Sequence, residues 1–272
     1  LLPLALLSNP FWSLLHEAIH DLLHRNRRVN AFFGRGLAVL IGSPFRILRP
    51  SHLLHHKLNR MPVEGTEYYD RDKSTKAAAA PGYYFQILLG LYLVEVISPL
   101  YFVLPRRWLE RFRERYLPAQ SVSSILMQNW LGVESMGEIR RDGALAMSWL
   151  AVAFYAYGSH WPLLLGALAA RGLLISFLDN VYHYQTPVSD VFFAKNLSLP
   201  LPLASLLLHF NLHGIHHINP AISWINLPKA FDAQAGRYHG NYFAAALRQF
   251  RGPIAFQDLP QGAPVLRVRP YL

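Results

Sequence analysis

The chain has no cysteine among its 272 residues. Disulfides, iron–sulfur ligation and thiol catalysis are therefore excluded, and electrons for any redox chemistry must come from another protein. Charge is scarce as well: Asp, Glu, Lys and Arg together make up 15%, against roughly 25% in a soluble domain. The deficit falls in long apolar stretches, and the mean hydropathy is positive at +0.16. Both point to an integral, multi-pass membrane chain in contact with the lipid bilayer. Acidic residues are the rarer sign, 16 against 26 basic, for a net charge of +10. The excess lies beside apolar runs, at Arg25, Arg27 and Arg28, at Arg106, Arg107, Arg111, Arg113 and Arg115, and at Arg140 and Arg141. Arginines so placed mark cytoplasmic segments, and no nucleic-acid partner is expected. Inverted repeats with broken helices, the signature of a transporter, are absent.

What the chain does have is histidine at regular spacing. His52-Leu53-Leu54-His55-His56 and His213-Gly214-Ile215-His216-His217 repeat one pattern, and His16-Glu17-Ala18-Ile19-His20 stands at the end of an apolar run. On a helix, residues i, i+3 and i+4 share a face, so HxxHH aims three imidazoles at one volume and HxxxH aims two. Eight histidines exceed what one ion of four to six ligands can use, and His183, at the end of the last apolar stretch, is a ninth. Imidazole suits iron, zinc, copper and nickel alike. All-nitrogen ligation at the rim of a lipid-facing bundle suits a pair of irons that activates dioxygen against an apolar chain. His24 and His209 continue the faces of His20 and His213 and are further candidates for the metal or its surroundings. Glu17 and Asp21 flank the first cluster, where a carboxylate can orient a ligating imidazole.

The expected architecture is an all-α, polytopic helix bundle with interfacial helices and a histidine-rich, di-metal cap on the cytoplasmic side. Residues 1–24 read as a helix that crosses the membrane and ends in the first cluster, with an earlier span expected before Leu1. Residues 29–60 read as an interfacial helix leading into the second cluster, because Gly34, Gly36, Gly42, Arg35 and Pro44 make a poor span. If every apolar stretch crossed, the clusters would fall on opposite sides. Residues 83–118, with Glu95, Pro99 and five arginines, are therefore assigned to a re-entrant or interfacial hairpin. Residues 143–178 form a transmembrane hairpin turning at Gly158 to Pro162. Residues 179–272 hold the third cluster and a cytoplasmic tail, all within one domain.

The order HEAIH, HLLHH and HGIHH, with apolar stretches between, resembles the three histidine boxes of the membrane fatty-acid desaturase and hydroxylase family, over Phe11 to about Pro220. The resemblance implies a non-haem di-iron centre, dioxygen as co-substrate, a long-chain fatty acid or other apolar substrate, and an external electron donor such as ferredoxin with its reductase. Matched residue by residue, the boxes supply His16 and His20, then His52, His55 and His56, then His213, His216 and His217. A further family ligand follows the last span, a role matching His183, with Asp179 or Asn180 before it; the family spacing is one residue longer than Asn180 to His183. HEAIHDLLHRNRRVN and FNLHGIHHINP look most like the branch that decarboxylates free fatty acids to terminal alkenes. That chemistry needs a cation near the metals for the substrate carboxylate, with Arg25, Arg27, Lys57 and Arg60 as candidates. Acyl desaturation, hydroxylation and carotenoid-type ketolation are the alternatives within the family. HEAIH also fits HExxH, the zinc-protease motif, but a protease would leave both HxxHH clusters idle.

Overall fold

The computed structural model describes residues 7–65 and 67–262; the opening of the first expected helix and the end of the tail lie outside them. The described chain is mostly helical, its one sheet a parallel pair of two-residue strands, β1 (Tyr68–Tyr69) and β2 (Ile254–Ala255). Two compact units emerge, one holding the chain up to Leu53 together with Leu91–Gly172, the other holding Leu54–Gly90 together with the chain from Leu173.

In the first unit, helix α1 (Ser8–Ile19) carries the first box and stops sooner than the 1–24 helix that the spacing predicts. Asp21 has φ 60°, a left-handed conformation that an α-helix does not run through. Asn30, fully buried, fixes this ending: its Nδ2 donates to the Ala18 carbonyl at 2.8 Å, and its Oδ1 accepts the Leu23 and His24 N–H groups at 3.0 and 3.2 Å. Arg49 adds a bond to the Ile19 carbonyl at 3.0 Å and one to the Asp21 carboxylate at 2.7 Å. The helix-end carbonyls that would lack partners are thereby satisfied.

Asn26 caps α2 (Arg27–Ile41) by accepting from the Arg28 and Val29 N–H groups, and Gly42 at φ 104° ends it; an αL glycine is a common C-terminal stop. The next helix, α3 (Phe45–Leu58), leaves at a bend of 100° and carries the second box. At Gly34 an added Cβ would stand 2.9 Å from the Phe45 ring and 3.0 Å from the Ala18 Cβ, so the backbones approach as only glycine allows. Helix α4 (Lys76–Phe85) passes through a π-helical turn, Gln86–Gly90, into α5 (Leu91–Tyr101), followed by α6 (Arg106–Tyr116), α7 (Val122–Trp130), α8 (Val133–Tyr157) and α9 (Trp161–Asp179).

Helix α8 starts ten residues before the apolar stretch at 143. The polar turn around Asp142 is admitted because the carboxylate, almost fully buried, accepts from Arg35 Nε at 3.0 Å and from Arg35 Nη2. Gly158, at φ 50° and ψ −125°, breaks the run between α8 and α9. Arg171 on α9 donates to the Ile41 carbonyl at 2.8 Å, while Arg46 donates to Ser135 Oγ near the start of α8 at 2.9 Å. A straight helix would put Ser135 and Arg171 roughly 54 Å apart at 1.5 Å per residue. Their partners are only five residues apart, so the chain doubles back at Gly158.

Among the described residues, Val133–Tyr182 is the one helical run long and apolar enough to cross a membrane, and the bent α2–α3 pair passes the same test only when taken together. Just 28% of the run's most apolar window is buried in the protein. A soluble core helix would be mostly covered. Here Trp149, Val152, Tyr155, Leu163 and Leu165 are exposed, the surface that lipid would cover.

The second unit also contains α10 (Leu201–Leu206), α11 (His213–Ile218), α12 (Leu227–Ala233) and α13 (Tyr242–Arg248). Its tail is more than a cover. Tyr242, Ala245 and Ala246 pack with Val181, Tyr182, Ala194 and Leu197, and Leu227 and Phe231 pack on Leu212 and Ile215 of the third box. Gln249, fully buried, donates to the Phe177 carbonyl and accepts from Asn180 Nδ2, both at 2.8 Å.

Candidate metal centre

Three histidines meet in the first unit. His16 lies on α1 with His20 at its C-cap, and His52 stands on α3. Their ring centroids are 4.7 Å (His16–His20), 4.5 Å (His16–His52) and 5.0 Å (His20–His52) apart. One nitrogen of each lies within 4.8 Å of one nitrogen of the others. The stop of α1 at Ile19, imposed by Asn30 and Arg49, leaves both histidines of HxxxH at the end of the helix.

The second unit gathers His55, His183, His213 and His217, whose ligand nitrogens all lie within 4.8 Å of one another. His55 and His56 leave α3 one residue apart. His183 follows the 3-10 turn Asn180–Tyr182, and His213 and His217 sit one turn apart on α11. His217 Nε2 is 3.1 Å from His213 Nε2, and His216 Nε2 is 3.0 Å from His56 Nε2. The outer sides of the rings are already engaged. His55 Nδ1 meets Glu64 Oε1 at 2.8 Å, and His217 bonds the Val191 carbonyl with Asn59 Nδ2 3.3 Å from its Nδ1. With Nδ1 engaged, Nε2 is the nitrogen that faces inward, the arrangement by which outer partners aim a ligating imidazole.

At His183 and His217 electrostatics favour the ligand form. Burial, followed by the charges of neighbouring imidazoles, pushes His183 and His217 well below the ordinary imidazole value, so both are neutral near pH 7. Burial also lowers His55, but the charge and hydrogen bond of Glu64, together with the charge of Asp179, more than offset it and leave His55 raised. His183 Nδ1 is buried with no hydrogen-bond partner among the described residues. A buried polar atom without a partner is costly, and a cation among four convergent nitrogens would remove that cost. The residues present fit a metal.

Third-box geometry depends on Gly214. A Cβ there would stand 2.5 Å from the Ala194 carbonyl oxygen and 2.8 Å from Asn196 Oδ1, the atom that accepts the Ile215 N–H at 3.1 Å. Gly214→Ala is therefore expected to displace α11 and lower metal content per chain, measured by elemental analysis, even though alanine is the better helix former.

Other candidates from the sequence lie elsewhere. His24, beyond the helix end, is exposed and its Nδ1 accepts the Asn26 N–H at 2.9 Å; His209, at φ 54°, stacks on Trp224 at 6.3 Å. Neither is in a histidine group. Asp21 is engaged by Arg49 and Asn30, while Glu17 is buried on α1. Asn180 gives its amide N–H to Gln249, and Asp179 contributes a field that raises His55. Arg60 is buried and donates to Glu67, to the Thr186 carbonyl at 2.8 Å and to the Pro187 carbonyl at 3.3 Å, so it is a structural cation rather than a carboxylate holder. Arg25, Arg27 and Lys57 are exposed. Glu64 and Asn59 were not singled out in the sequence. Glu64 lies in a polar loop that no periodicity marks, whereas Asn59, three residues after His56, continues the box's helical spacing.

A helical chain with exposed apolar helix surface, no thiolates and two convergent sets of imidazoles defines a histidine-rich metalloprotein suited to a membrane. The sequence profile of the fatty acid desaturase family matches residues 1–246, and the chain belongs to that family. It matches no curated protein and no solved structure.

Proposed function

We propose that the chain is a non-haem di-iron enzyme that oxidises a fatty-acid chain with dioxygen, using electrons from an external donor such as ferredoxin. The observation that carries this reading is the set of four histidines, His55, His183, His213 and His217, with ligand nitrogens mutually within 4.8 Å; the first unit gathers a set of its own, His16, His20 and His52. One ion would be held by the first four and another by the latter three, with His56 and His216 as further ligands. Bound there, the metals supply dioxygen activation for attack on an unactivated C–H bond.

The chain's own residues prepare this. Burial keeps His183 and His217 unprotonated, Glu64 holds His55 by Nδ1, and the Val191 carbonyl, itself held by Asn59 Nδ2 at 3.0 Å, holds His217. The preferred outcome is oxidative decarboxylation of a free fatty acid to a terminal alkene and carbon dioxide, with acyl desaturation close behind. This preference rests on the first- and third-box sequences, with exposed Arg25, Arg27 and Lys57 as the cations for a carboxylate. In either reaction dioxygen is reduced to water by two electrons from the substrate and two from the donor. The arginines beside the apolar runs support a multi-pass chain with its active site on the cytoplasmic side.

Metal content and product decide. Purified full chain should hold about two irons, the number that two sets of imidazoles can ligate, and give an alkene one carbon shorter than the acid supplied. An internal double bond would move the reading to desaturation. A single zinc would overturn it in favour of HExxH hydrolysis. Glu64→Gln should lower iron retention on dialysis about 10–100-fold, the usual effect of losing the group that orients a ligating histidine; unchanged retention would remove Glu64 from that role.

A further inference from the structure

Helix α6 (Arg106–Tyr116) carries no histidine, and its two outward stripes have no use in the chemistry above. Only Leu109 is buried, against Ile47, Phe102, Leu131, Met136 and Ile139. Trp108, Phe112 and Tyr116, four residues apart, are exposed by 55%, 48% and 64%. At about 100° per residue they form one ridge. Arg107, Arg111 and Arg115 repeat the same step one residue earlier and form a second exposed ridge beside it. Of the helix's acidic residues, Glu110 is paired with Arg106 at 2.8 Å, and Glu114, which borders the arginine ridge, with Arg113 at 3.4 Å. None of Arg107, Arg111 and Arg115 has an ion pair among the described residues. Leu100, Val103 and Leu104, just before the helix, are exposed too.

We propose that this face of α6 is a binding surface for anionic phospholipid, with the aromatic ridge seated among the upper acyl chains and the arginine ridge on the headgroup phosphates. Tryptophan and tyrosine favour that depth because their rings are apolar and their N–H and O–H groups polar. Guanidinium groups match phosphate oxygens in pairs. An acidic soluble protein would also attract the arginines, but it offers no reason for an exposed aromatic ridge continuous with exposed Leu100, Val103 and Leu104. A bilayer with anionic headgroups accounts for both ridges. This inference stands independently of the metals.

The test uses the full chain in neutral detergent, titrated with brominated phosphatidylglycerol or brominated phosphatidylcholine while tryptophan emission is followed. Quenching present in wild type and absent in Trp108→Phe isolates the reporter on α6. Trp108 should be quenched at lower concentration by phosphatidylglycerol than by phosphatidylcholine, with the difference shrinking as salt is added. The triple variant R107Q/R111Q/R115Q should need roughly a hundredfold more phosphatidylglycerol, since each basic residue near an anionic surface is worth about fivefold. Its thermal unfolding should match wild type, because the three side chains are exposed. Equal quenching by the two lipids, or an unshifted triple variant, would overturn the proposal. Trp108 left unquenched by both lipids, with an acidic ferredoxin perturbing its emission, would overturn it in favour of a protein partner.

Discussion

His217→Ala should lose iron and activity together, with iron per chain falling by about half and turnover by more than the 10–100-fold typical of outer-shell changes. His217 is fully buried, its Nε2 lies 3.1 Å from His213 Nε2, and its ring centroid lies 4.9 Å from that of His183 and 5.2 Å from that of His55. The informative controls are His24→Ala and His209→Ala, which remove histidines of the same chemistry from positions outside both groups. Both variants should keep wild-type iron and activity. If all three variants lost iron alike, metal would be held by histidine content in general and the four-residue set would have no special standing. Elemental analysis and product formation on one preparation separate these results, and an unfolding scan shows whether His217→Ala remains folded.

The contrast between His217 and His24 shows how far spacing alone reaches. The boxes are legible because helical periodicity turns HxxHH into three side chains on one face, and that logic holds wherever the helix continues. It fails at His24 for a local reason. Asn30, ten residues downstream of His20, takes the Ala18 carbonyl and the Leu23 and His24 N–H groups, and no periodic signal announces a side chain that ends another helix. Long-range pairing hides elsewhere as well. Asp142 closes the polar run of Glu138, Arg140 and Arg141 that leaves the apolar stretch starting at 143, yet the helix begins at Val133, with Arg35 neutralising the buried carboxylate from 107 residues away. The tail has many prolines and no long apolar run, so no periodicity marks it as part of a core. Short helices nevertheless pack their few apolar residues, Tyr242, Leu227 and Phe231, behind the third box. Arg60 looked like a carboxylate holder because sequence proximity to a box does not reveal burial.

Arg60 carries the other large effect. Glu67→Ala should destabilise the chain by about 3–5 kcal/mol, the cost of leaving a buried charge without its partner, or on the order of 10 °C in unfolding midpoint. The Arg60 and Glu67 side chains are 3% and 1% exposed, and the guanidinium also holds the Thr186 and Pro187 carbonyls, while the Arg60 carbonyl accepts the Ser189 N–H at 2.9 Å. Glu67 therefore neutralises a cation that ties the end of α3, just after His55 and His56, to the segment that follows His183. Removing the carboxylate should loosen both strands of that tie, so iron is expected to leave at a lower temperature than in wild type. Glu67→Gln, which keeps an acceptor but no charge, should lie between the two. The double variant R60M/E67L discriminates between charge and packing: with both charges gone, stability should return close to wild type, although the carbonyls of Thr186 and Pro187 lose their donor. If Glu67→Ala instead unfolded within a degree or two of wild type, the pair would be supported by water and the junction between α3 and residues 186–189 would rest on apolar packing alone.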